Sequence, residues 1–472
     1  MKRHLLFLFA SLFLLSGLIA SLSGTAYAET RVAQPASKCV TPGGTNTLQG
    51  SIGGANYIIK TPSNWNGTLV LYSHGYVFAG SPLVAQDAGD PLTEAALLQQ
   101  GYALAGSSYS QNGWALAQAF HDQIALLAFF NATCGHPVRT IAWGHSLGGI
   151  ITAGLVQLYP TLFAGALPMC GVVAGGVGTW NQALDSAYAF NVLLAGDKLP
   201  IVHLATPQDT FNQAIAILNQ AQSTAQGRAR ISLAAGLADI PGWFTTGSPQ
   251  PGSKDYAAQE QNQYLWESQV DFFFAFIARA ELEARAGGNP SWNVGVDYRA
   301  QLAKSASGSE VVALYKQAGL SLDKDLKTLN VTPRIKADPA AVGYLSKYIT
   351  FNGDVNIPVL TMHTTGDGLV ANQDEQSYAS IVGLKGNASL LRQVFVNRAG
   401  HCAFTPAETL TAFQTLINRL HTGRWDSSTN PTLLNQEATA LGSTFNTAPA
   451  SFISYRPSVF LRPFVDFWGL RR

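Results

Sequence analysis

The chain has 472 residues, of which 47% are apolar and 12% are charged, and its net charge at pH 7 is +1. A nearly neutral chain offers no basic surface for nucleic acid or for an anionic membrane, so we expect neither kind of partner. The length suits one large domain or two, with enough apolar material for a sizeable core.

Residues 1–28 have the pattern of a secretory signal peptide. Basic residues precede an apolar run at 5–15, and small residues at Ala26 and Ala28 indicate cleavage after Ala28. The run is shorter than the roughly 20 apolar residues of a membrane span, and an uncleaved anchor is the alternative. The sequence therefore predicts a secreted protein, extracellular or periplasmic, whose mature form has no integral membrane segment.

The chain has four cysteines, which are Cys39, Cys134, Cys170 and Cys402. An even number of cysteines in an exported protein favours disulfides, and four cysteines permit three pairings. Their spacings contain no CxxC motif, so we do not expect a zinc site.

Apolar segments of strand length and of helix length alternate along the first part of the chain. Helical spacing is found at 90–100 and at 114–130. This alternation predicts βαβ units, and hence an α/β fold with a mostly parallel central sheet flanked by helices. The strand candidates are "ANYIIKTP" at 55–62, "GTLVLYSHG" at 67–75, "YALAGSSYS" at 102–110, "VRTIAW" at 138–143 and "LFAGALPMC" at 162–170.

The alternation resumes at Ile357, which leaves residues 171–356 between two strands. A parallel crossover needs only about a dozen residues, so the excess must form a structure of its own. Its pattern is mostly helical and rich in Trp and Phe, which predicts a helical cap over one end of the sheet. The predicted organisation is a signal peptide (1–28), a first core segment (29–174), the cap (175–351), a second core segment (352–425) and a C-terminal tail packed on the core (426–472).

A serine framed by glycines stands where the strand pattern at 138–143 changes to a helix pattern. Residues 144–148, "GHSLG", match G-x-S-x-G, the tight strand-to-helix turn that exposes a nucleophilic serine. Apolar residues then recur at helical spacing until Pro160. We therefore predict Ser146 as a nucleophile at the carboxyl ends of the parallel strands, where such sheets bind ligands.

A serine nucleophile needs a base, and the base needs a carboxylate that fixes its tautomer. The order Ser, acid, His favours His401, which follows a strand pattern, over His421, which lies in a helix pattern. Asp367 follows the preceding strand, whereas Asp374 and Glu375 fall in the first turn of a helix, where carboxylates cap. The sequence thus favours Asp367 as the acid.

The loop after "LVLYSHG" is expected to supply half of an oxyanion hole. The backbone N–H groups of Tyr76 and Leu147 are our candidates for stabilising a developing anion. His74 and His145 are expected to support these loops structurally, and His363 is expected to be a packed strand residue.

The segments "SHGY", "GHSLGG", "TTGDGLV" and "AGHCAF", in this order, resemble the α/β-hydrolase superfamily. The resemblance covers the sheet portions on either side of the insert. It implies a catalytic triad of Ser146, Asp367 and His401, and a cap inserted between the sixth and seventh strands.

Cys402 adjoins His401, as in the tannase and feruloyl esterase group, where a disulfide ties the base loop to the nucleophile loop. This sequence has His145 where that group has a cysteine before the serine. The resemblance implies a Cys170–Cys402 disulfide, with Cys170 as the substitute partner. The hypothesis leaves Cys39 to pair with Cys134.

These features predict a secreted serine hydrolase that cleaves small or polymeric carboxylic esters through an acyl-enzyme intermediate, with no metal or organic cofactor. One alternative is an exported aminopeptidase, in which Glu281 and Glu283 of the cap bind the amino group of the substrate. An acyltransferase is another alternative on the same fold. A binding protein without activity is disfavoured by the complete set of Ser146, Asp367 and His401. The identity of the ester is not predicted.

Overall fold

The computed structural model describes residues 38–462, which are built around one nine-stranded sheet. The strands are β1 Thr45–Ile52, β2 Ala55–Pro62, β3 Thr68–Ser73, β4 Ala103–Ser107, β5 Arg139–His145, β6 Gly165–Met169, β7 Val359–Gly366, β8 Leu391–Ala399 and β9 Phe452–Ile453. Their order across the sheet is β1-β2-β4-β3-β5-β6-β7-β8-β9. Neighbouring strands from β4 to β8 are parallel, whereas β1, β2 and β9 pair antiparallel at the two edges. The predicted α/β fold with a mostly parallel sheet is confirmed.

Helices join most of the parallel strands, and most of them begin or end at typical capping residues. The helix α14, for example, begins with a capping box between Thr405 and Glu408 and ends at Gly423, which has a φ of 74°. The α-helices are α1 Pro91–Gln99, α2 Leu116–Cys134, α3 Leu147–Leu158, α4 Gly176–Leu193, α5 Pro207–Gln222, α6 Ala225–Leu237, α7 Tyr256–Trp266, α8 Arg279–Ala286, α9 Tyr298–Leu302, α10 Gly308–Gln317, α11 Leu322–Val331, α12 Pro339–Lys347, α13 Gln373–Leu384, α14 Pro406–Thr422 and α15 Pro431–Ala440.

The continuous apolar runs of the central strands are explained by burial on both faces. All six residues of β3 are buried. Leu69 and Leu71 pack into the core on the face covered by α2, α3 and α13, whereas Val70 and Tyr72 pack into the core under α1, α14 and α15. Because alternate side chains of a strand point to opposite faces, a strand buried on both sides shows no polar alternation.

The insert between β6 and β7 forms α4 to α12, which lie within the predicted limits of 175–351. Between α7 and α8 the chain continues as two π-helical segments, Glu267–Asp271 and Phe273–Ala278. Phe190, Phe272 and Phe276 pack in an apolar core that the insert forms largely by itself. Sheet and insert nevertheless belong to one compact unit.

The C-terminal segment contacts both parts of the molecule. The strand β9 pairs with β8, and Arg462 forms an ion pair of 2.7 Å with Asp185 of α4. A disulfide joins Cys39, ahead of β1, to Cys134 at the end of α2. The signal peptide predicted at 1–28 and the last ten residues of the predicted tail lie outside the described residues. Within 38–462, no helix combines the length and the apolar character needed to cross a bilayer.

Candidate active site

Ser146 lies in a sharp turn between β5 and α3. Its backbone has a φ of 58° and a ψ of −121°, a conformation that is costly for a residue other than glycine. A Cβ atom at Gly144 or at Gly148 would collide with the carbonyl oxygen of Ser73 on the neighbouring strand β3. The G-x-S-x-G motif is therefore needed because the turn packs directly against the backbone of β3, and the turn leaves the Ser146 side chain at the carboxyl end of the sheet.

The structure brings together the three side chains expected as a triad. The Nε2 atom of His401 lies 2.8 Å from the Oγ atom of Ser146. The Nδ1 atom of His401 lies 2.7 Å from Oδ2 of Asp367. Asp367 directly follows β7, and His401 lies in the turn after β8, so the three groups meet at the carboxyl ends of three parallel strands. With Nδ1–H donating to the carboxylate, Nε2 is free to accept the proton of the serine hydroxyl.

Asp367 is buried and well supplied with donors. Its Oδ1 atom accepts hydrogen bonds from the backbone N–H groups of Leu369, at 3.1 Å, and Val370, at 3.0 Å. Burial alone would raise the pKa of Asp367, but the charges and hydrogen bonds of His401 and His363 outweigh burial and hold the pKa below its usual value. The Asp367 side chain is therefore a carboxylate at neutral pH.

A second histidine lies beneath Asp367. The Nε2 atom of His363 is 2.9 Å from the carbonyl oxygen of Val370 and 3.4 Å from Oδ2 of Asp367, and its Nδ1 atom is 3.2 Å from Oε1 of Glu375. Because the Val370 carbonyl oxygen can only accept a hydrogen bond, Nε2 of His363 carries a proton. Oε2 of Glu375 also accepts a hydrogen bond of 2.7 Å from the side-chain amide of Gln393. Burial would lower the pKa of His363, but the two carboxylates raise it to about 10, so this imidazole is a buried cation.

The competing acids occupy other positions. Oδ1 of Asp374 accepts hydrogen bonds from the backbone N–H of Ala174 and from the hydroxyl of Thr179, and Glu375 contacts His363. Asp374 and Glu375 lie in the first turn of a helix, α13, as expected, but they do not cap it: α13 begins without a side-chain cap, and both residues are buried. Their side chains point inward, since the first turn of α13 packs against β7 and the insert.

The expected oxyanion donors lie beside Ser146. Neither the N–H of Tyr76 nor the N–H of Leu147 donates to an acceptor among residues 38–462. Leu147 is the first residue of α3, at the positive end of the helix dipole. The backbone of Gly75, which precedes Tyr76, lies close to Ser146: a Cβ atom at Gly75 would be 3.4 Å from the Ser146 Cβ. The ring of His74 stacks on Tyr109 at 4.0 Å between centroids, which fits the structural role expected of it.

A disulfide joins Cys170, which follows β6, to Cys402, which follows His401. With Cys39–Cys134, both of the expected pairings are present. The two sulfurs and His401 are close enough together to surround a metal ion, but disulfide sulfurs are not the thiolates that ligate metals. The bond ties the turn that contains His401 to the end of β6, the strand next to β5, which leads into Ser146.

A cavity lies between the insert and the sheet, and Ser146 is in its wall. Among the described residues that line it, Asp271 is the one carboxylic acid, and none is Lys, Arg or His. Glu281 and Glu283 do not line it: Glu281 pairs with Arg285, and Glu283 accepts a hydrogen bond from a backbone N–H. Its aromatic lining residues are Tyr76, Trp114, Trp180, Phe272 and Phe274.

Most of the chain matches one known family. Residues 53–384 match the tannase-like family of unknown function, DUF6351. The chain belongs to this tannase-like family.

One curated relative of this tannase-like protein is the o-phthalyl amidase of Xanthobacter agilis, which is 29% identical over 422 residues, or 82% of this chain and 89% of the amidase. Feruloyl esterase B from Aspergillus oryzae is a structural neighbour with a TM-score of 0.38 and 14% identity, over 81% of this chain and 82% of the esterase. A serine hydrolase from Cycloclasticus zankles gives a TM-score of 0.35 and 14% identity, over 80% of this chain and 99% of that one. The family and the amidase relative support a hydrolase.

Two features of this tannase-like protein escaped the sequence analysis. The contact of His363 with Glu375 joins a strand to the following helix, and the sequence signal for it is only a histidine in an apolar strand. Asp271 is a single acid in the run "VDFFFAF", and an acid inside such an apolar run is a signal of a buried carboxyl.

Proposed function

We propose that this tannase-like protein is a secreted enzyme that hydrolyses carboxylic esters through a triad of Ser146, His401 and Asp367. The observation that supports the proposal is the continuous pair of hydrogen bonds, 2.8 Å and 2.7 Å long, that runs from the Ser146 hydroxyl through His401 to Asp367. Nucleophile, base and acid thus have the mutual geometry that acyl transfer requires, at the wall of a cavity that can receive a substrate.

The proposed reaction has two halves. His401 accepts the Ser146 proton through Nε2 while Oγ attacks the acyl carbon, and the Asp367 carboxylate stabilises the imidazolium that forms. The N–H groups of Tyr76 and Leu147 then stabilise the tetrahedral anion, by about 3–4 kcal/mol for each donor. His401 passes its proton to the leaving alcohol, and water, activated by the same imidazole, releases the acid.

An amide bond is the second candidate for the bond that is cleaved. The observation that favours it is the 29% identity to an o-phthalyl amidase over 82% of the chain. The same three residues can cleave an amide if His401 protonates the leaving amine. An aminopeptidase has less support, because Glu281 and Glu283 are engaged in contacts within the protein.

Export of the mature protein is part of the proposal. Two disulfides close segments that begin at Cys39 and Cys170, and such bonds persist in oxidising compartments. N-terminal sequencing of the protein recovered from outside the cytoplasm is expected to begin after Ala28. A mature chain that begins at Met1 would contradict the predicted cleavage.

The test of the activity compares p-nitrophenyl esters of increasing acyl length with the corresponding acyl anilides. The wild type is expected to hydrolyse the esters, and Ser146→Ala is expected to lose at least about 10⁴-fold in kcat. Ser309→Ala removes an exposed hydroxyl on α10 and serves as the matched control, with unchanged activity. Turnover of anilides without turnover of esters would favour the amidase, and full activity in Ser146→Ala would overturn the mechanism.

A further inference from the structure

Asp271 lies in the same cavity as Ser146 and has no role in the proposed triad. It ends the π-helical segment Glu267–Asp271. Such turns are rare in proteins, and those that occur often lie at functional sites. Its Oδ2 atom is fully buried and has no hydrogen-bond partner among the described residues. Because buried polar groups are nearly always paired, an unpaired carboxyl at the wall of a cavity points to a partner that arrives with the ligand.

The surroundings of Asp271 favour the neutral form of its carboxyl. Burial is the largest influence, and the charges of Glu267 and Asp367 act in the same direction, so that together they raise the pKa of Asp271 well above its usual value. Burial also raises the pKa of Glu267, to about 8, although a hydrogen bond from Ser186 opposes this shift. Within residues 38–462 no basic side chain lines the cavity, so no cation there offsets these influences. A neutral carboxyl has one O–H to donate.

The rest of the cavity wall is mostly apolar and aromatic, although Ser146, Thr179, Gln182 and Ser186 also line it. Trp180 and Phe272 come from the insert, and Trp114 and Tyr76 come from the segments after β4 and β3. A pocket with aromatic walls and few polar groups holds a flat apolar group, and the polar groups decide its orientation. A ligand that fits both features has a ring or a compact acyl group that bears an oxygen.

We propose that the O–H of Asp271 donates a hydrogen bond to an oxygen of the substrate, so that the enzyme selects aryl or acyl groups bearing a neutral carbonyl oxygen over plain hydrocarbon groups. The inference rests on the proposed function, since it concerns the substrate of the same serine. An ammonium group is the opposite possibility. It would need Asp271 to ionise near the Asp367 carboxylate in an apolar pocket, which the cost of burying a second negative charge disfavours.

Two variants separate these ligands. Asp271→Leu keeps the branched shape of the side chain but has no donor, whereas Asp271→Asn keeps an N–H donor but cannot ionise. Each is assayed with p-nitrophenyl benzoates whose ring carries hydrogen, acetyl or aminomethyl at the ortho, meta or para position. For each variant, the kcat/KM of a substituted ester is divided by the kcat/KM of plain benzoate, and this ratio is then divided by the same ratio for the wild type. The resulting quotient cancels the intrinsic effect of the substituent on ester reactivity.

We expect Asp271→Leu to lose at least about tenfold in this quotient for the best acetyl ester. Asp271→Asn is expected to retain most of the preference for acetyl. A quotient near one in Asp271→Leu, or a loss confined to the aminomethyl esters in both variants, would overturn the inference. If Ser146→Ala loses all turnover and the quotient of Asp271→Leu stays near one, only this inference is overturned. If Ser146→Ala remains active, the proposed function is overturned.

Discussion

His363 contacts the same carboxylate oxygen of Asp367 that His401 contacts: its Nε2 atom lies 3.4 Å from Oδ2, and Nδ1 of His401 lies 2.7 Å from it. The hydrogen-bonded series therefore continues from the proposed triad to His363 and on to Glu375. A cation between two buried carboxylates compensates charges that would otherwise be costly in the interior. The side chain that orients the proposed base is thus itself held by a second, buried ion pair.

Removal of the His363 cation is expected to destabilise the protein in a pH-dependent manner. Its pKa is raised from 6.5 to about 10, so its stabilising contribution is complete below about pH 6.5 and is lost as the pH rises toward 10. His363→Gln is therefore expected to lower the free energy of unfolding by about 3 kcal/mol or more at pH 6, and by less at pH 10. Urea denaturation at pH 6, 8 and 10 measures the difference.

The control for this prediction is His203→Gln. His203 lies 3.5 Å from Asp338, and both side chains are largely exposed, so the stability should change little at any pH. A deficit in His363→Gln that stays constant from pH 6 to pH 10 would mean that His363 acts only by packing.

Asp367→Asn is expected to separate catalysis from binding. The substitution preserves the shape of the side chain but favours the wrong tautomer of His401, so kcat should fall by about 10⁴-fold with little change in KM. Asp374→Asn is the matched control, because Asp374 is equally buried and its carboxyl accepts its hydrogen bonds from Ala174 and Thr179. Equal losses of kcat in the two variants would contradict the assignment of Asp367.

Two glycine substitutions test the packing of the turn that contains Ser146. Gly148→Ala is expected to lower the free energy of unfolding by about 1–3 kcal/mol or more and to displace the nucleophile, because the new Cβ collides with the carbonyl of Ser73. Gly383→Ala lies in the exposed part of α13 with open space around the new atom, and it should raise the stability by up to about 1 kcal/mol. Thermal unfolding of both variants measures the contrast, and similar shifts of Tm would contradict it.

The two disulfides are expected to differ in their effect on activity. Replacing Cys170 and Cys402 by serine removes the tie beside His401, whereas replacing Cys39 and Cys134 acts far from the proposed site. Each double variant should lose about 2–4 kcal/mol of stability, but only the first should also lose kcat. Steady-state assays below the unfolding range of both variants decide this, and equal kcat values would contradict it.

Much of the fold could be predicted because the central strands are buried on both faces and so differ clearly from the helices between them. The edges were harder. β1 (Thr45–Ile52) is largely exposed and has a Gly, Thr and Ser-rich sequence, so no apolar pattern marks it. β9 has only two residues and exists because β8 offers it a free edge. Neither strand is specified by its own sequence.

The candidate site was predictable to a similar degree. Ser146, Asp367 and His401 each follow a recognisable strand, and parallel strands bring their carboxyl ends together. The interaction of His363 with Glu375 was not predictable in this way, because it depends on how α13 rotates against β7. The position of Asp271 in the cavity likewise depends on two π-helical segments, and no helical periodicity of 3.6 residues reveals these.

The central claim is that Ser146 is the nucleophile and that His401 activates it. The most direct measurement is the reaction of the wild type with a p-nitrophenyl phosphonate, which follows the release of nitrophenol and then locates the adduct by peptide mass mapping. The account predicts one adduct per chain on Ser146, no reaction of Ser146→Ala, and a rate at least about 10³-fold lower in His401→Ala. An adduct on another residue, or an unmodified Ser146 in protein whose ester hydrolysis has been abolished by the reagent, would contradict it.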